Sequence, residues 1–320
     1  MPVAKQVKLA IVVGLNLVLF YFLYRWVQTS IRWEQFSNAF LETPVAAILV
    51  ALVVGLFLLV LYGLRLGCLI DRPLSQTFWI ICYGFGANNL LPFRIGDALK
   101  LYFAKRRYEV SMTRLLLVKV MEKFFDLFFL LVIGLLALFL GVIAVSQASL
   151  LLIFGLLIAV VVGAALVILL IGRNYGWLES LRRHPLVDHF FVVFEEVIRS
   201  PSKKQALLIS VAIWILTVAM MKVFYAQALP GYEIAWRDAL ALVFVTTITL
   251  GLPSAPGAIG VFEAAIVFYL SGIVGVPAEQ ALASAVVLHL IVAVPQILFM
   301  LIAAIGARGH AAKGVESASS

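Results

Sequence analysis

Three short stretches place polar or charged side chains where an otherwise apolar chain has little else to bind or carry charge. The first reads Gly84-Phe-Gly86-Ala-Asn88-Asn89-Leu-Leu-Pro92-Phe-Arg94-Ile-Gly96-Asp97. Glycine and proline end helices and leave backbone groups unpaired. Asn88 and Asn89 supply donors and acceptors, and Arg94 has the fork that grips a phosphate. Asp97 can pair with Arg94 or Lys100, or cap the helix that follows. The plainer alternative is a turn with a capped helix at headgroup level.

The second stretch is Lys119, Glu122, Lys123 and Asp126. At about 100° per residue these point to roughly 0°, 300°, 40° and 340°, so one helix face carries all four. Charges in a bilayer are costly, so these are expected to pair with one another or to face the bundle interior. A lysine-anchored network at the inner surface is the structural alternative.

The third is Gly251-Leu-Pro253-Ser-Ala-Pro256-Gly257-Ala258-Ile-Gly260-Val-Phe-Glu263. A new helix is expected from Gly260, with Glu263 in its first turn, where the helix dipole favours a carboxylate. Glu263 is otherwise a proton carrier or a partner for a cationic headgroup, and free amides at that helix start could hold an anion. His289 lies alone in an apolar run; it reads as a structural histidine or as a relay partner for Glu263.

The elements that must position these groups follow from composition. Hydrophobic residues make up 64% of the 320, charged residues 12%, and the mean hydropathy is +1.11. A soluble domain carries about twice that charged fraction. Runs such as Leu127–Val145 are apolar on every side, unlike the alternating strands of a membrane barrel. The fold class is therefore all-α, a polytopic transmembrane bundle. Full spans are expected near 8–25, 44–65, 114–141, 150–172, 205–229 and 279–305.

Two further apolar stretches do not fit single crossings. Leu74–Phe93 is flanked on both sides by Lys and Arg, which collect on the cytoplasmic side. Ala239–Ile273 is too long for one helix and is interrupted by the third motif. Both read as re-entrant hairpins, one from each face, giving six spans plus two hairpins. Such a pair matches the inverted repeats of many transporters. The basic loops put both termini in the cytoplasm, with residues 175–200 as an amphipathic linker. Residues 1–308 read as one membrane domain and 309–320 as a disordered tail.

The net charge of +8 reflects this topology and not nucleic-acid binding. Cys68 and Cys82 form no metal or disulfide pattern. No P-loop, nucleophile elbow or zinc motif is present, so no cofactor is expected.

The three motifs together, Asn88-Asn89-Leu-Leu-Pro92-x-Arg94-x-Gly96-Asp97, Glu122-Lys123-x-x-Asp126 and Pro256-Gly257-Ala-x-Gly260-x-x-Glu263, resemble the lysylphosphatidylglycerol synthase transmembrane-domain family over roughly residues 8–305. The chain departs from that pattern in Asp97 for Glu, Lys123 for Arg, and Ala258 for a second glycine. The resemblance implies a flippase-like bacterial inner-membrane protein that moves a polar or anionic lipid without ATP. The aminoacyl-transfer domain is absent, so a separate enzyme would make the lipid; a homo-oligomer is left open. The implied substrate-binding residues are Asn88, Asn89, Arg94, Asp97, Glu122, Lys123, Asp126 and Glu263. An intramembrane lipid-modifying enzyme and a non-transporting scaffold are the alternatives.

Overall fold

The computed structural model describes residues 31–141, 202–251 and 255–318, with a few isolated positions besides. The spans expected at 8–25 and 150–172 and the linker at 175–200 lie outside the described residues. The rest is helical: α1 (Trp33–Leu41), α2 (Val45–Ile70), α3 (Leu74–Leu90), α4 (Ile95–Tyr108), α5 (Met112–Phe139), α6 (Ser202–Ala228), α7 (Trp236–Leu250), α8 (Val261–Tyr269) and α9 (Ala278–Ala318). Short 3₁₀ turns at Pro92–Arg94 and Pro256–Ala258 and a π turn at Leu270–Val274 interrupt the sequence of helices.

Among the described residues, four stretches are long and apolar enough to cross a membrane: Val45–Ile70, Ser202–Ala228, Pro256–Val274 and Ala278–Ile305. The protein is thus a multi-pass helical membrane protein. Helix α5 sits where a span was expected at 114–141, but its first half carries the charge cluster. Pro256–Val274, the second limb of the expected outer hairpin, has the length and composition of a span although it is not one regular helix. Helix α9 runs unbroken through Pro295 and continues past Arg308 to Ala318.

Local chemistry explains most boundaries. α2 ends with Asp71 in the left-handed region at φ 55°, and the Arg72 N–H returns to Gly67 O at 3.2 Å, a Schellman closure. Ser111 caps α5 by accepting from Arg114 N at 3.3 Å. Asp238 caps α7, accepting from Ala235 N at 2.7 Å, and receives the Tyr269 hydroxyl at 2.9 Å. α1 buries none of its residues; Phe36 stacks on Phe40 and Trp33 is exposed, the pattern of a helix lying at a membrane interface.

The described residues fall into two compact units. One comprises Met1–Phe57, Cys82–Leu99 and Thr217–Ser320; the other comprises Leu58–Ile81 and Lys100–Leu216. In the first, α8 packs between α7 and α9, and α1 lies along α9. Both helix breaks belong to this unit. The second unit holds the charge cluster.

Candidate functional site

The first break is a tight helix–turn–helix. Leu74–Leu90 stops before Pro92, which supplies no N–H, and α4 begins at Ile95. Gly96 makes the close return: a side chain there would strike Gly84 O and the Asn88 backbone. Asn88 Nδ2 then donates to Asp97 Oδ1 at 3.3 Å. Asp97 Oδ2 lies 4.0 Å from Arg94 Nε. Asp97 therefore turns to Asn88 and Arg94.

Arg94 itself sits at φ 54°, unusual for a residue with a Cβ. That conformation sends its guanidinium to Leu250 O, where Nη1 donates at 2.6 Å. Leu250 is the last residue of α7, so the arginine of the first break satisfies a terminal carbonyl of the helix that enters the second.

The two breaks meet elsewhere too. The turns Pro92–Arg94 and Pro256–Ala258 touch. Gly257, at φ 64°, has no room to spare: a Cβ would lie 3.3 Å from Asn89 O. Asn89 Nδ2 donates to Phe85 O at 3.1 Å and to Gln296 Oε1 at 2.8 Å. Gly86 presses on Gln296 O and Met300 Cβ, so α3 reaches α9 at backbone distance. Breaks expected to open toward opposite faces are thus in direct contact at their turns.

Glu263 lies three residues after Gly260, whose φ of 86° starts α8. Its Oε2 accepts from Gly260 N at 2.6 Å. Its Oε1 lies 2.5 Å from His289 Nδ1, a hydrogen bond between a carboxyl group and an imidazole. Phe262 packs its ring 5.0 Å from the imidazole. Glu263 is 8% exposed, and among the described residues the buried Tyr225 hydroxyl has no hydrogen-bond partner.

Beside this pair is a cavity of about 360 Å³ lined by Asn89, Gly260, Glu263 and His289 and by apolar side chains of α8 and α9. Ile259, Leu290 and Val294 stand on its wall and are exposed. The cavity therefore opens on the apolar surface of the protein, and its polar atoms cluster at the helix break.

The charge cluster is built differently. Glu122 finds its hydrogen-bonded cation outside its own helix: Lys100 Nζ donates to Glu122 Oε2 at 3.1 Å, with both side chains 4% exposed. Asp126 Oδ1 accepts from Arg65 Nη1 at 2.7 Å, and Lys123 Nζ is 3.9 Å from Asp126 Oδ2 with 52% of its side chain exposed. Arg65 also reaches Ser210 Oγ at 3.4 Å and lies over the Tyr62 ring. The main partners of Glu122 and Asp126 are therefore cations from α4 and α2. Arg65, the last residue of the span expected over 44–65, is 2% exposed.

Among the described residues no three His, Cys, Asp or Glu side chains group as metal ligands would. What the arrangement offers is a membrane-facing apolar slot, a carboxylate–imidazole pair and amide donors at its polar end. No curated protein matches the chain. A family model described as the lysylphosphatidylglycerol synthase TM region matches residues 6–299, and the chain belongs to that family.

Proposed function

From that membership we propose that the protein moves a polar or anionic lipid between leaflets, with no ATP hydrolysis, in a bacterial cytoplasmic membrane with both termini inside. The observation that carries this reading is the cavity at the meeting point of the two helix breaks. Its apolar wall suits a hydrocarbon chain, and its polar end suits the region where chain joins headgroup. Unpaired backbone of this kind is tolerated at membrane depth only where it is buried in protein or lines a wet cavity.

In this mechanism the lipid enters past Leu290 and Val294. Asn89 and the amides near Gly260 meet its polar linkage. Arg94 and Asn88 lie on the same turn–helix element, and Arg94 has N–H groups beyond the one given to Leu250 O, enough to meet a phosphate. Glu263 and His289 exchange a proton as the headgroup passes, so the carboxylate need not remain charged without a partner. Glu122 and Asp126 are committed to Lys100 and Arg65, and serve to keep four helices in register. Lys123 is free to meet headgroups at the surface.

The test is transbilayer movement of headgroup-labelled lipid in proteoliposomes made with the full chain. Movement without nucleotide is expected, with at least tenfold slowing in Glu263→Gln, on the order of what one positioned acid–base group contributes. Wild-type rates in Glu263→Gln and Asn89→Ala would remove the cavity from the mechanism. Lipid of altered mass after incubation would favour the enzyme alternative. A partner enzyme that makes the lipid would be sought by co-purification.

A further inference from the structure

A second cavity, of about 460 Å³, lies in the unit that holds the breaks but among other residues, between the ends of α1, α6 and α9. Its lining includes Glu42, Thr43, Tyr232, Gln280 and Ser284, and no Lys, Arg or His. Three features there share one sign. Glu42 is exposed and lines the cavity, and among the described residues no side chain pairs with it. The 27-residue helix α6 ends at Ala228 on the cavity wall, and the last carbonyls of a helix lack intrahelical partners and form the negative end of its dipole. α1 ends there as well, with Glu42 as its C-cap residue.

Two neighbours make the negative field available to a ligand. The nearby Arg32 guanidinium is spent on Glu279, Nε to Oε1 at 2.9 Å. Thr43 and Ser284 turn their hydroxyls to Ala39 O and Ala281 O, so neither donates to Glu42. The phenol ring of Tyr232 adds an aromatic face, which attracts a cation.

We propose that this cavity binds an ammonium group, carried either by a lipid headgroup or by a small soluble amine. Carboxylate, aromatic face and helix C-termini are the features that select it over an anion or a neutral polyol. The cavity shares no lining residue with the one beside Glu263, so this assignment stands or falls independently of transport.

Calorimetry on the full chain in nanodiscs of phosphatidylglycerol tests it. Ethanolamine and glycerophosphoethanolamine should bind, and glycerophosphoglycerol should not. Glu42→Gln should weaken binding about fivefold, the worth of one partly exposed ion pair. Gly231 has nothing within 4 Å of a would-be Cβ, so Gly231→Phe can fill the space without a clash, and it should abolish binding. Adding phosphatidylethanolamine to the disc sorts the sources: loss of soluble-probe binding identifies a lipid headgroup, and an unchanged titration identifies a soluble amine. Absence of binding, equal binding of glycerophosphoglycerol, or wild-type affinity in both variants overturns the proposal.

Discussion

Where Lys100 meets Glu122, charge is answered by charge, and both side chains are shut away from surroundings. Where Glu263 stands, a single carboxyl group is answered by a backbone amide and an imidazole, beside a cavity that opens on an apolar surface. Both regions bury ionisable groups within the helices. The first answers each charge with an opposite one, although Glu122 Oε1 accepts no hydrogen bond among the described residues; the second holds them with partners that can be exchanged. The buried charges of the first are tied to one another, and the polar groups beside the cavity are tied partly to backbone.

The sharpest way to break this contrast is to remove one member of the closed network. Lys100→Met strands the buried Glu122 carboxylate, and the expected loss is about 3–5 kcal/mol, read as a fall in thermal unfolding temperature in detergent. The double variant Lys100→Met, Glu122→Met should recover most of that loss. If the single variant is as stable as the wild type, the network is not closed in the sense described. Glu263→Gln should do the reverse. It keeps an oxygen for Gly260 N–H, so stability should fall by only about 1 kcal/mol while lipid movement slows at least tenfold. Equal losses in both assays would make Glu263 a structural residue like Glu122.

Ala258 gives a smaller, opposite effect. It stands at φ 57°, where a Cβ costs roughly 1 kcal/mol. Ala258→Gly should therefore stabilise the second break by up to about 1 kcal/mol, visible as slower amide exchange around Gly260. The smallest effect is expected at Lys123→Ala. With half its side chain exposed, stability should change by less than about 0.5 kcal/mol, and any effect should appear in lipid affinity.

Much of this was legible in the sequence because glycine and proline act locally. Pro92 and the Pro256-Gly257 pair mark their breaks by chain geometry alone, and Gly260 announces the helix that carries Glu263. The left-handed φ at Ala258 also accounts for the second glycine that the family pattern prefers there. The pairing of charges was not legible. A hydropathy reading ends a span at its first charge, so the expected span stops at Arg65, whereas α2 continues through Leu66 to Ile70 and takes Arg65 inside. Nothing within α5 could reveal that Glu122 is matched by Lys100, since that depends on packing between helices. Gln296 was hidden in the same way: only the approach of Gly86 shows why an amide is needed opposite Asn89.

The bond from Arg94 to Leu250 O has a consequence for heredity. It joins positions 156 residues apart, so the two motifs are not separate inheritances. A descendant that loses the arginine must find another donor for the end of α7 or re-route the loop beyond it. The two stretches should therefore drift in concert, and a chimera that takes one motif from a distant relative and the other from this chain should be worse than either parent.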